Sequence, residues 1–330
     1  MATYLITGGC GFIGSHLCRT LLSRGQHPRV LDDLSTGSLS NLPAGVELIQ
    51  GSITDERTVD ATMEGARGCF HLAALASVEH SIQNWLGAHH TNLSGTISVF
   101  EAARKLARNA RIPVVYASSA AVYGRCEQLP LQERTPAQPC SPYGADKYAC
   151  ELHARIATDI HHIPTVGLRF FNVYGPRQDP RSPYSGVISI FCDRLLRQEP
   201  IEVFGNGRQT RDFVFVADVV ASMITAMQRA EASATPICAV YNVCSGAATS
   251  VVDLARVLGE ICDCEPEIEF RPARFGEVVH SYGDRSLIAT ELGLAAPTDL
   301  RSGLASTVLW MQAPQEYESA ATSAFLPGCS

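Results

Sequence analysis

Apolar residues in the first 170 positions follow two alternating rhythms. Short runs rich in β-branched and aromatic side chains read as strands: TYLIT (3–7), PRVLDD (28–33), VELIQG (46–51), GCFHLAA (68–74), IPVVYAS (112–118) and PTVGLRFF (164–171). Between most of them, apolar positions recur every three or four residues, which predicts helices at 12–24, 55–65, 90–108 and 143–162. Such alternation with short connections predicts an α/β fold on a doubly wound parallel sheet. Beyond residue 171 the rhythm is less regular. Pro176, Pro180 and Pro183 mark a loop. Helical spacing returns at 186–198, 217–231, 250–262 and 300–312, with strand-like FVFV (213–216) and VYNV (240–243) among them. Residues from about 314 onward are small and polar and read as a loose tail.

Composition narrows the class. The 330 residues are 46% hydrophobic and 18% charged, as expected of a globular chain with one large or two moderate domains. A net charge of −7 argues against nucleic acid or an acidic membrane as partner, so an anionic substrate must be met by local arginines. The first residues carry no basic n-region and run directly into a strand pattern, and no apolar run reaches the ~20 residues of a membrane span. These features lead us to expect a cytoplasmic protein. Of the 12 cysteines, several, such as Cys18, Cys69, Cys150 and Cys192, fall in apolar periodic stretches, and no CxxC occurs. Free thiols are expected, and no metal site. The pairs His89-His90 and His161-His162 have no ligand pattern around them and read as surface or core residues. The basic run ARKLARNAR (103–111) reads as a solvated helix face.

Chemistry enters at the ends of the strands. LITGGCGFIGSHL follows the first strand and opens the first helix. Gly9, Gly11 and Gly14 fit G-x-G-x-x-G, and Gly8, Gly11 and Gly14 equally fit G-x-x-G-x-x-G. Glycines there let backbone approach a pyrophosphate, which sits on the helix N-terminus. The second strand ends in Asp32-Asp33, where an acid can accept from a ribose 2′-hydroxyl and would repel a 2′-phosphate, favouring NAD over NADP. In SPYGADKYACE (141–151), Tyr143 and Lys147 lie one helical turn apart, on one face, while Tyr148 is rotated by roughly 140°. A phenol ionises near pH ~10, and a neighbouring cation would bring that value down. VVYASSAAVYG (114–124) is an apolar strand that runs into serines at its C-terminal end, the edge where open α/β sheets bind ligands.

Taken together, TGGCGFIG, HLAA, TNLSGT, SSAAVYG and SPYGADK resemble the extended short-chain dehydrogenase/reductases, the NAD-dependent epimerase/dehydratase family, with close similarity to bacterial UDP-hexose 4-epimerases over residues 3 to about 312. The resemblance implies a Rossmann-type sheet, with a cofactor domain of 1–171 plus 212–243 and a smaller C-terminal α/β sugar-nucleotide domain of 172–211 plus 244–313. It implies Tyr143 as acid/base, Lys147 as ribose ligand and modulator of the tyrosine, and Ser119, in preference to Ser118, as hydroxyl partner. NAD contacts would come from Gly8, Gly11, Phe12, Ile13, Gly14, Asp32, Ser52, Ile53, Leu72, Ala73, Ala74, Asn92, Tyr143, Lys147 and Phe171. The family's acid before Ile53 is replaced here by Ser52. UDP-sugar contacts would come from Ser119, Tyr143, Asn172, Phe204 stacking on uracil, Arg211 and Arg274 on the diphosphate, and Ser281 beside the hexose. A small residue at 281 implies room for a 2-acetamido group, although Tyr282 is adjacent. Where related dehydratases and decarboxylases carry acids, this chain has Ala120 and Ala121, which favours oxidation and re-reduction at one carbon. The same scaffold also serves UDP-glucuronate 4-epimerases, 4-keto-sugar reductases and, without catalysis, dinucleotide binding. The family further implies a homodimer packed through helices 90–108 and 143–162.

Overall fold

In the computed structural model, which describes residues 1–107, 111–182, 186–273 and 278–313, the early apolar runs become β1 (Thr3–Thr7), β2 (His27–Asp32), β3 (Glu47–Gln50), β4 (Gly68–His71), β5 (Val114–Ser119) and β6 (Thr165–Phe170). The helices of this part are α1 (Phe12–Ser23), α2 (Glu56–Met63), α3 (Val78–Gln83), α4 (Trp85–His89), α5 (Gly95–Leu106) and α6 (Pro142–His161). The later chain adds β7 (Asn172–Tyr174), α7 (Val187–Leu196), β8 (Ile201–Phe204), β9 (Thr210–Arg211), β10 (Phe213–Phe215), α8 (Val216–Ala232) and β11 (Cys238–Val243). It ends with β12 (Thr249–Ser250), α9 (Val251–Cys262), β13 (Ile268–Arg271), β14 (His280–Ser281), α10 (Ser286–Leu292) and α11 (Leu300–Gln312).

Seven strands form one parallel sheet in the order β11-β6-β5-β4-β1-β2-β3. Helices cover both faces, which is why the central strands are almost continuously apolar. Within β1, Ile6 packs into a core shared with Leu17 and Cys18 of α1 and Val219 and Met223 of α8. Its neighbour Leu5 points the other way, into a core with Val59, Val99, Cys150 and Ala154 from α2, α5 and α6. The chain winds outward in opposite directions from β1 and β4, so a crevice opens at their C-terminal ends. A third core gathers Ile188, Phe191, Leu254, Leu258, Leu304 and Val308 from α7, α9 and α11. Around it lie the small pairings β10-β7, β12-β9-β14 and β13-β8. Most of these strands are two to four residues long, too short for periodicity to reveal.

The helix expected at 90–108 is instead composite. It begins with α4, passes through a π-helical turn at His90–Ser94, and continues as α5. The wider turn coincides with Asn92, whose carbonyl accepts from the Thr96 hydroxyl (2.6 Å) and the Cys150 thiol (3.3 Å). The preceding helix α3 has no counterpart in the periodicity reading. FVFV is also divided: Val216 opens α8 rather than closing the strand.

Candidate active site

The glycine turn joins β1 to α1. Gly8 has φ +72°, and a Cβ there would lie 2.7 Å from Ala73 N. Gly9 is blocked by the Val30 side chain, and Gly14 by the Gly8 carbonyl. Both sequence patterns are therefore partly right, because Gly8 and Gly9 are each required for packing. Gly11 differs. A Cβ there would meet only the Gly8 carbonyl, at 3.3 Å, so the chain's own atoms leave space beside it. Gly11 is also the N-cap of α1, where no side chain caps the helix and the first turn carries no acid. The N–H groups left uncapped by side chains and the positive dipole end suit a pyrophosphate. At the end of β2, Asp32 is buried, accepting from Cys10 N (2.9 Å) and Leu34 N (2.8 Å). Burial raises its pKa, and the two N–H bonds oppose that shift. Asp33 instead turns outward to Ser35. This donor and acceptor set fits the pyrophosphate and ribose of a dinucleotide.

Beside the glycine turn, Leu72 and Ala73 donate their N–H groups to the Thr7 hydroxyl (both 3.2 Å). Asn92 is fully buried, and its amide pairs with both main-chain groups of Leu75 (2.8 and 3.2 Å). Its side chain thus holds the 72–75 loop. Ala74 lies half-buried on that loop. Ser52 bonds to Thr54, while Ile53 is buried against Gly95. Its side chain belongs to the core, and only its main chain remains available to a ligand.

Across the crevice, Ser141 caps α6 by accepting from Gly144 N (3.1 Å), and Pro142 occupies the first turn. Tyr143 follows, its N–H donating to the buried Ser81 hydroxyl (3.2 Å). Lys147 is 3% exposed, its ammonium donating to Ala117 O (2.9 Å) and lying 5.8 Å from the Tyr143 ring centroid. That anchor leaves two of its three N–H donors unassigned. Gly144 determines how closely α6 approaches the end of β5: a Cβ there would come within 2.6 Å of Ala121 O. The sequence reading passed over this glycine, although it sits inside SPYGADK. Ser119 closes β5, and its hydroxyl oxygen accepts from Ala121 N (3.1 Å), leaving its proton to donate elsewhere. Ser118 faces the other way, buried and donating to Glu151 (2.6 Å). Tyr148 packs beside Val122, Tyr123 and Phe171, away from the Lys147 face.

Behind this edge lies a buried polar network absent from the sequence reading. Arg169 clamps Glu151 through two bonds (2.8 and 2.7 Å) and donates to the Tyr123 hydroxyl (2.8 Å). Tyr123 donates to Asn242 (2.6 Å), whose amide reaches Leu131 O (2.9 Å) and whose N–H reaches Glu133 (2.8 Å). Burial raises the Glu133 pKa. A helix position four beyond Lys147 and a charged residue inside the apolar strand VGLRFF were the available signals.

The expected sugar-nucleotide residues occupy the small pairings. Asn172 is exposed at the start of β7, its N–H donating to Asp212 O (3.0 Å). Phe204 ends β8. Arg211 and Ser281 are direct partners in the β9-β14 ladder, and the Arg211 guanidinium donates to Thr210 O (2.9 Å) and Val279 O (3.3 Å). Arg274 lies outside the described residues. Phe171 is buried, with its ring against Gly283 and Tyr123. A missed residue, Asp212, links these segments. Fully buried, it accepts from Ser245 N (2.6 Å), Ser245 Oγ (2.7 Å), Gly246 N (2.9 Å) and Gly283 N (3.2 Å). Burial raises its pKa against those four bonds. Of the paired histidines, His89 bonds the buried Asp146 at 2.7 Å.

The family model of the NAD dependent epimerase/dehydratase family matches residues 4–244. A putative UDP-glucose 4-epimerase of Methanocaldococcus jannaschii is 34% identical over 310 residues, 93% of this chain and 98% of that protein. The structure of UDP-glucose 4-epimerase from Thermotoga maritima with UDP-glucose superposes with a TM-score of 0.88 at 33% identity, covering 94% of this chain and 98% of that one. UDP-N-acetylglucosamine 4-epimerase from Methanobrevibacter ruminantium, solved with UDP-N-acetylmuramic acid, gives 0.87 at 30% identity, covering 94% and 98%.

Proposed function

Because the chain belongs to the NAD-dependent epimerase/dehydratase family, we propose that it inverts C4 of a UDP-hexose through a transient 4-keto sugar. NAD, when bound at the glycine turn and Asp32, would supply a reversible hydride acceptor for C4. Tyr143 takes the O4 proton and gives it back. The Ser119 hydroxyl, its oxygen held by Ala121 N–H, donates to the same substrate oxygen. Lys147, fixed on Ala117 O, turns its remaining donors to the nicotinamide ribose. The observation that supports this reading is the Lys147 ammonium, 5.8 Å from the Tyr143 ring centroid and anchored on Ala117 O in the strand that ends at Ser119, together with a glycine turn that has room for a ligand at Gly11. Ala120 and Ala121 supply no acid for elimination or decarboxylation.

Asn172, Phe204, Arg211 and Arg274 are assigned to UDP, and Ser281 to the hexose pocket. Residues 1–171 plus 212–243 form the cofactor domain, and 172–211 plus 244–313 the sugar-nucleotide domain. A small side chain at Ser281 supports turnover of UDP-GlcNAc and UDP-GalNAc beside UDP-glucose and UDP-galactose. The active form is a cytoplasmic homodimer. In support of pairing, Ile97 on α5 and Leu152, Ile156 and Ile160 on α6 are exposed apolar residues. The described cysteines are free thiols, in keeping with a reducing compartment. Among the described residues, no helix is long and apolar enough to cross a membrane. Incubating purified protein with each of the four UDP-sugars, without added NAD, and following the products by NMR tests the activity. Epimer formation is expected. Stoichiometric consumption of NADH without an epimer would make the protein a reductase.

A further inference from the structure

His71 takes no part in the chemistry above, yet it is buried at the end of β4, paired with Thr7 of β1 and next to the 72–75 loop. Its Nε2 is 2.9 Å from the Thr96 hydroxyl, and that hydroxyl donates to Asn92 O (2.6 Å). With its own proton committed, Thr96 can only accept, so Nε2 carries the imidazole hydrogen. Nδ1 is then an acceptor and takes the Thr7 hydroxyl proton at 2.7 Å. The Thr7 oxygen in turn accepts from Leu72 N and Ala73 N. The bonds run in one direction: from the 72–73 main chain to Thr7, to His71, to Thr96, to Asn92. Asn92 closes the circuit on Leu75. Burial holds the ring neutral, and the nearby Lys147 ammonium acts in the same sense, giving a pKa of about 3. A neutral imidazole is the form this polarity requires.

The circuit has a geometric consequence for the ligand. Ala73 lies against Gly8, so tightly that no side chain fits between them. The 72–75 loop and the glycine turn therefore meet in direct contact, and the Thr7–His71–Thr96 chain ties both to the buried Asn92 behind that contact. We propose that His71 is a positioning residue that fixes how the 72–75 loop sits against the glycine turn, at the edge that receives the cofactor, through its Nε2–H tautomer. The inference rests on the family's use of NAD by this chain. Its force falls on retention of the dinucleotide, before any step at the sugar. An apolar ring in this place fills the volume but leaves the Thr7 and Thr96 hydroxyls without their partner.

Two variants and one spectrum test it. His71→Phe removes both ends of the relay, and Thr96→Val removes one end with an isosteric side chain. NAD carried per subunit after purification and dialysis, and the rate at which it is released, are measured for wild type and both variants, alongside thermal unfolding of each. Each variant is expected to release NAD at least ~10-fold faster, the effect of one buried group left unpaired. The double variant should be no worse than His71→Phe alone, because both changes break one circuit. In the ¹⁵N spectrum of wild type at pH 7, the His71 ring should show a bare Nδ1 and a protonated Nε2. Lower melting temperatures with unchanged NAD release would make the residue merely structural and overturn the proposal. A proton on Nδ1 would also overturn it. Wild type that carries and binds no NAD would instead overturn the cofactor reading, and the inference with it.

Discussion

The two walls of the crevice are built on different principles. On the cofactor side, each proposed group lies in a contiguous stretch at the end of a strand of the seven-stranded sheet: the glycine turn after β1, Asp32 at the end of β2, the 72–75 loop after β4, Ser119 at the end of β5. Backbone geometry brings them to one edge, because parallel strands end together there, and the side chains of Thr7, His71 and Asn92 hold the 72–75 loop in place. On the sugar-nucleotide side, the proposed contacts come from β7, β8, β9 and β14, strands of two to four residues paired across distant segments. One residue, Asp212, gathers the chain around β7, β11 and β14: its carboxylate accepts from the N–H groups of Ser245, Gly246 and Gly283, and its main-chain carbonyl accepts from Asn172 N. A single substitution can therefore retune the second wall, whereas the first fails as a unit.

The largest effect should come from breaking the first wall. Arg169→Met leaves Glu151 buried without its cationic partner, held only by the Ser118 hydroxyl among the bonds described, and is expected to cost about 3–5 kcal/mol in unfolding free energy. Denaturant melts check it, and a change under ~1 kcal/mol would mean that the clamp does not brace the edge. Next, Tyr143→Phe should lower kcat on the order of 10²-fold or more, with NAD and UDP-sugar binding retained, as steady-state rates and equilibrium titration will show. Turnover near that of wild type would remove Tyr143 from the reaction.

On the second wall, Ser281→Tyr should suppress turnover of the N-acetylated pair selectively, by roughly 10–200-fold in kcat/KM relative to the plain hexoses. An unchanged ratio takes Ser281 out of the pocket. Asp212→Asn weakens four bonds to a buried acceptor and should cost about 1–3 kcal/mol, with UDP-sugar KM rising and NAD retention unaltered. Loss of NAD in this variant would show that the two walls are not independent.

The smallest effect concerns pH. The folded pKa of His71, about 3, lies below its ordinary value of 6.5. Its contribution is thus complete above pH ~6.5 and is lost as pH falls toward 3, because the unfolded chain binds the extra proton. Between pH 7.5 and 5.5 the stability of wild type relative to His71→Phe should fall by about 1.4 kcal/mol. Parallel pH profiles for the two proteins would refute this. The buried Asp32, Asp212 and Glu133, with raised pKa values, act in the opposite sense in both proteins and cancel in the difference.

What the sequence determined by itself were the features carried within one stretch of chain. Period-two and period-3.6 apolar patterns specified the alternating strands and helices, and hence the parallel sheet, because local geometry decides which side chains share a face. The glycine turn, Asp32 and the Tyr143–Lys147 turn were legible for the same reason. Tertiary structure decided what depends on partners distant in the chain. Thr7 and His71 are 64 positions apart, and Tyr123 and Asn242 are 119 apart, so no spacing rule could pair them. The π-helical turn at Asn92 coincides with bonds to Leu75 and Cys150, partners that no local spacing shows. The role of Gly144 appears only when α6 meets Ala121. The small strands of the second wall likewise have too few residues for a period, and only their partners make them strands.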